Sequence, residues 1–249
     1  MTSKVPAAVQ NMITHCRLPL RFDPQRLAAD LELALGEAWT SHFVSENYRG
    51  HWNALSLRSA GGSEEDILAH ELPADAYRDT PLLQRCGYLR ELLSAFHCPL
   101  KSVRLMRLGA GSEIKEHSDP GCGYEYGELR LHIPIVTSPA VEFYLDGQKV
   151  AMQPGECWYL NFSLPHRVLN AGSADRIHLV IDCSLSPWLD SLFKALDFSA
   201  LERYGTSVRH LDNNIAGLEK LDTPAARLAL RSLQAQKAEI EAARLARGT

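Results

Sequence analysis

The chain has 249 residues, 45% hydrophobic and 22% charged, with a formal net charge of −4 at pH 7. That balance suits a globular chain long enough to bury a sizeable core. It lacks the clustered basic surface a nucleic-acid partner would need, and no apolar run reaches the roughly 18 residues of a membrane span.

The N-terminal stretch MTSKVPAAVQNMITHCRLPL has no continuous apolar region of the secretory kind, so a cytoplasmic location is the expectation. Residues 23–42 carry Leu27, Leu31 and Leu35 at helical spacing, with Asp23 placed to cap and Pro24 at the first helical position. HWNALSLRS (51–59) alternates like a strand. A second amphipathic helix is predicted over 80–97, with Thr80 as cap and Pro81 following. From 102 onward the pattern changes to short strands, predicted at 103–108, 113–117, 129–136, 141–145, 148–152, 156–160, 166–170 and 176–183. Asp146-Gly147 sits between two alternating runs, a strong two-residue hairpin signal. Eight strands in this span predict a mainly β fold, a jelly roll of two facing sheets around a pocket. Residues 187–249 turn helical again, and 222–248 reads as one Ala-rich helix whose Leu230, Leu233 and Ile240 form a packing or dimer seam. The expectation is a single domain: an N-terminal region to about 100, a jelly-roll core over 101–186, and helices beyond. The six cysteines, Cys16, Cys86, Cys98, Cys122, Cys157 and Cys183, form no C-x-x-C and are expected to be reduced and mostly buried.

Three features carry chemistry. KEHSDPGCGY (115–124) contains H-x-D, and His166 lies 49 residues beyond His117. Residues i and i+2 of a strand point the same way, so His117 and Asp119 can reach one ion. A second strand bringing in His166 would complete two histidines and a carboxylate on one face of an octahedron. Taken alone, H-S-D reads more readily as a polar loop tip. The third feature is a repeated Arg-x-His within apolar strands, Arg130/His132 and Arg176/His178. Charges there are costly unless paired. An anionic ligand is one partner, since Arg grips carboxylates bidentately. Solvent at a strand end, or an acid such as Asp175, is another.

RLMRLGAGSEIKEHSD, GELRLHIPIVTSPAVEFYLDGQKVAMQPGECWYLNFSLPHRVLN and DRIHLVIDC come in the order and spacing of the Fe(II)/2-oxoglutarate dioxygenases. More narrowly, residues 20–185 resemble the aspartyl/asparaginyl β-hydroxylase and proline cis-hydroxylase family. The resemblance implies a double-stranded β-helix of cupin-like form, Fe(II), 2-oxoglutarate and O2 as cofactors, and hydroxylation coupled to decarboxylation of 2-oxoglutarate to succinate. It implies that His117, Asp119 and His166 are the metal ligands. Arg176 would hold the distal carboxylate of 2-oxoglutarate, with Arg130 and His132 near the end bound at iron. The resemblance places Trp52 and Arg58 near the pocket mouth, and Arg104 and Arg107 match arginine positions of the proline hydroxylases, where an Arg would hold a substrate carboxylate; structural ion pairs with the acidic N-terminal region are the alternative. The expected substrate is an amino acid, or an aspartyl, asparaginyl or prolyl-type residue of a peptide or protein, with no nucleic acid and no membrane as partner. Oligomeric state stays open. The Gly-rich GCGYEYG (121–127) reads as a flexible connection able to act as a lid. A cupin-like metal enzyme without 2-oxoglutarate and a non-catalytic jelly-roll binding module remain as alternatives.

Overall fold

A computed structural model describes residues 13–196 continuously, together with seven helical positions between 215 and 238. The chain divides into two compact units, residues 14–202 and a second made of 1–13 with 203–249. The expected C-terminal helix at 222–248 lies largely outside the described residues, although Arg227, Leu230, Arg231, Gln234 and Ala238 within it are helical. No described helix is long and apolar enough to cross a membrane.

In chain order the strands begin with β1 (His15–Arg21), β2 (Thr40–Ser41), β3 (Tyr48–Arg49), β4 (Trp52–Ala60) and β5 (Tyr77–Asp79). The central run is β6 (Leu100–Leu108), β7 (Glu113–His117), β8 (Glu128–Val136), β9 (Val141–Leu145) and β10 (Gln148–Lys149). It closes with β11 (Glu156–Leu160), β12 (His166–Asn170) and β13 (Arg176–Ser184). One antiparallel sheet has the order β1-β11-β8-β13-β6-β4-β2 with β5 paired to β4, and the other the order β10-β9-β12-β7-β3. This is the jelly roll expected from the strand count, with residues of both sheets lining the cavity between them.

Four helices complete the described region: α1 (Pro24–Leu35), α2 (Pro81–Arg85), α3 (Gly87–Ser94) and α4 (Pro187–Ala195). Asp23 and Thr80 cap α1 and α2 as their positions predict, accepting from Gln25 and Arg26 and from Leu83 respectively. The single helix expected over 80–97 is instead two. The chain breaks at Cys86, and the buried Asp30 carboxylate of α1 accepts the Leu89 amide at 2.8 Å, satisfying an orphan donor at the new N-terminus. The helix expected to run to 42 stops at Leu35, with Gly36 as its C-cap. Helices α1 and α2 pack on β8 and β4. The face of the large sheet turned away from the cavity is therefore covered, as the complete burial of Leu105, Leu131, Ile133 and Leu179 shows. The Asp146-Gly147 hairpin forms as predicted: both residues have positive φ (49° and 78°), and Gln148 pairs with Leu145.

Candidate active site

His117 ends β7 and His166 opens β12, and the two strands pair so that these residues stand opposite each other. Their ring centroids are 4.2 Å apart. Asp119 lies two residues past β7, where its amide donates to the Phe162 carbonyl at 2.8 Å. Ligand atoms of His117, Asp119 and His166 all lie within 4.8 Å of one another, close enough to hold one metal ion. The tautomers suit that role. His117 Nδ1 donates to the Lys115 carbonyl at 2.9 Å and His166 Nδ1 to the Leu164 carbonyl at 3.0 Å, so each Nε2 carries a free lone pair. Burial, then the neighbouring His117, pushes the His166 imidazole down to about 4, which keeps it neutral. Burial works against the Asp119 carboxylate, but Arg130 and the two imidazoles outweigh it and hold its proton affinity below the ordinary value.

The cavity that contains this cluster has a volume of about 900 Å3. Its opposite wall comes from the large sheet. Arg176, Arg130, His132 and Arg104 line it, with Trp52 at its side. Arg130 is doubly engaged: Nη1 donates to Asp119 Oδ2 at 2.5 Å and Nε to Asp182 Oδ1 at 2.6 Å. Asp182 also accepts from Arg104, whose second nitrogen reaches the Ile67 carbonyl at 3.0 Å. Arg176 differs from both. It is 3% exposed and meets no carboxylate among the described residues. Asp175, its sequence neighbour, turns away to accept the Ala110 amide. Burial alone pushes the Arg176 guanidinium down to about 9, still cationic at neutral pH.

Two expected substrate residues lie elsewhere. Trp52, Ala54 and Ser56 pair with Leu108, Met106 and Arg104, but a bulge between Ser56 and Arg58 then pairs Arg58 with Val103. The extra residue moves Arg58 to the other face of the sheet, where it binds Asp79 at 2.6 Å. Arg107 has the opposite parity from Arg104 and Met106; it stacks on Trp39 at 4.4 Å and approaches Asp175 at 3.9 Å. Neither lines the cavity. The Gly-rich segment is no loose lid. The Tyr124 amide donates to the Tyr159 hydroxyl at 2.7 Å, the Tyr124 hydroxyl to Asp190 of α4, and Leu185 to the Gly127 carbonyl at 2.8 Å.

Sequence reasoning missed Asp182 and His42. Asp182 shares the parity of Arg176 and His178 along β13, and an acid at even spacing in an apolar strand is itself a signal. His42 stacks on Trp52 with centroids 3.6 Å apart, and burial, then Arg104 and Arg130, push it down to about 4. Nothing in its local sequence marks it.

The family described as Aspartyl/Asparaginyl beta-hydroxylase matches residues 23–185. The chain belongs to the aspartyl/asparaginyl β-hydroxylase family. Within reach of this family member is an L-proline cis-4-hydroxylase of Rhizobium meliloti (strain 1021), 31% identical over 195 residues, which are 75% of this chain and 66% of that protein. An L-proline cis-3-hydroxylase of Streptomyces sp is 24% identical over 182 residues, covering 72% and 63%. The match thus spans slightly less than two thirds of either relative's length. Among solved structures, a 2OG-Fe(II) oxygenase family oxidoreductase from Burkholderia pseudomallei aligns with a TM-score of 0.46 at 16% identity, over 68% of this chain and 85% of that one.

Proposed function

We propose that this family member is an Fe(II)/2-oxoglutarate-dependent hydroxylase of an amino acid, or of an aspartyl, asparaginyl or prolyl-type residue in a peptide or protein. One observation carries the reading: the buried Arg176 guanidinium, which meets no carboxylate among the described residues, lines the same cavity as the His117/Asp119/His166 cluster. A cation left without a carboxylate at this depth calls for an anionic ligand, and a dicarboxylate that chelates the metal at one end would offer Arg176 its other carboxylate. A metal enzyme without an acidic co-substrate gives Arg176 no anionic partner. A binding module gives no reason for two histidines to share the same ligand-ready tautomer. The resemblance to L-proline cis-hydroxylases puts free L-proline and related amino acids first among substrates to try.

When bound, ferrous iron and 2-oxoglutarate supply the oxidising chemistry: O2 is consumed, the keto acid leaves as succinate and carbon dioxide, and a C–H becomes C–OH. The chain's residues supply the rest. His117 and His166 present Nε2, and Asp119 presents Oδ1 while Arg130 holds Oδ2. Arg176 fixes the distal carboxylate of the co-substrate, and Trp52, Phe143 and Phe162 line an apolar wall that limits water. Arg104, held by Asp182 and Ile67, and Trp52 are the cavity-lining candidates for substrate contact.

The test is anaerobic addition of Fe(II) and 2-oxoglutarate, followed by visible absorption for the charge-transfer band of a bidentate complex. Admission of air with L-proline should then yield succinate. Arg176→Ala should raise the 2-oxoglutarate requirement at least ~10-fold. No band and no succinate across candidate amino acids would sink the reading.

A further inference from the structure

Buried guanidinium groups are usually matched by acids, as Arg104 and Arg130 are by Asp182. Arg176 is matched by an imidazole. His178, two residues along the same face of β13 and 1% exposed, places Nδ1 2.9 Å from Arg176 Nη2. A guanidinium can only donate, so His178 Nδ1 is the acceptor and its ring proton sits on Nε2. His132 Nδ1 lies 3.3 Å from the same atom and must be the donor in that contact. Burial, then the charge of Arg176, holds both imidazoles well below their ordinary proton affinity. The Nε of Arg176 and the Nε2 of His178 are buried without a hydrogen-bond partner. The ligand-free site therefore carries a fixed cation that is incompletely satisfied.

We propose that His178 is a positioning residue for the co-substrate: it anchors Arg176 as a neutral acceptor, fixing the guanidinium while leaving its charge available to an incoming carboxylate. This rests on the 2-oxoglutarate reading and deepens it. An apolar side chain at 178 would leave the arginine unanchored, so binding would have to pay for its ordering. An acid there would pair with it internally, and the ligand would have to displace an existing ion pair. A neutral acceptor avoids both costs.

The experiment is a titration of the Fe(II)-loaded protein with 2-oxoglutarate under nitrogen, read from the charge-transfer band, for the wild type and three variants. His178→Asn, whose amide oxygen falls near the position of Nδ1, should bind within about 3-fold of wild type. His178→Leu should bind roughly 10-fold more weakly, and His178→Asp roughly 100-fold more weakly. In aerobic assays KM for 2-oxoglutarate should rise in that order while kcat at saturation holds, with Fe(II) affinity unchanged; a merely structural residue would move these together. Tight binding by His178→Asp, or wild-type binding by His178→Leu, overturns the inference. If His178→Asp does not fold, equal affinities for the Leu and Asn variants overturn it as well. A wild type that gives no band overturns the co-substrate reading and this one with it, whereas a normal wild-type band with the variants in the wrong order overturns only the role of His178.

Discussion

Asp182 holds two arginines at once, and it is the residue on which the cavity's charge balance turns. Its side chain is 11% exposed, against 4% for Arg104 and 18% for Arg130, so all three charges are largely out of water. Removing one partner from such a group leaves the others uncompensated, which costs far more than losing a surface pair. Asp182→Asn keeps the shape and loses the charge; it should destabilise the protein by about 3 kcal/mol, measured by urea unfolding. Adding Arg104→Met should recover part of that loss. A single-variant effect under ~1 kcal/mol, the range of an exposed pair, would mean that the network contributes little. The H-x-D spacing let His117 and Asp119 share an ion, and the family resemblance singled out His166 among ten histidines. The partner of Arg130 was not legible, because Asp182 lies directly across the ladder but 52 residues away in the chain. Arg58 was misplaced for a related reason: strict alternation puts it beside Trp52, and only the bulge reverses it.

At the scale of elements, most central strands were legible almost to the residue because turn chemistry brackets them, although the strand expected at 148–152 shortens to Gln148–Lys149. Strands 113–117, 141–145, 156–160 and 166–170 fall where they were expected. β1 was missed. Its sequence, HCRLPLR, contains a proline and only a short alternation, and it is an edge strand defined by pairing to β11 at the far end of the domain. That pairing depends on Gly155, in the QPGE turn. Its φ is +77°, and a Cβ would lie 2.2 Å from the Phe22 carbonyl oxygen, while its own carbonyl accepts the Phe22 amide at 2.9 Å. Gly155→Ala should therefore combine backbone strain with a clash against main chain and cost roughly 2 kcal/mol or more. Gly147 has nearly the same φ, +78°, but open space around it. Gly147→Asn should cost well under ~1 kcal/mol, since Asn tolerates this region. Thermal unfolding of the two variants separates the effects; equal losses would show that the approach of β1 to the turn is not what requires glycine.

On the scale of the whole domain, two sheets close around a cavity whose polar lining is largely neutral imidazole and paired charge. The jelly roll was legible from strand number, but the depth of these groups was not, because burial of a strand's inner face depends on the sheet opposite. That depth has a measurable consequence. His132, His166 and His178 are 6%, 4% and 1% exposed. Burial pushes His166 down to about 4, and holds the other two well below the ordinary 6.5. In the unfolded chain all three regain ordinary imidazole behaviour. Below about pH 6.5 the unfolded state then binds more protons than the folded one, so stability must fall as the pH is lowered. The contribution is fully present above 6.5 and is lost as the pH drops through that value toward 4 and below. Each imidazole contributes a slope of roughly 1 kcal/mol per pH unit in that window. The metal-free protein should accordingly show urea midpoints that are flat from about pH 8 to 7 and fall steeply between about pH 6 and 4.5. His42, also pushed down to about 4, titrates with them, so His178→Asn removes one of four such groups and should shallow the slope by about a quarter. Midpoints that stay level down to about pH 5 would mean that these imidazoles are hydrated and protonated in the folded protein. A cavity in that state could not keep Arg176 as its uncompensated cation.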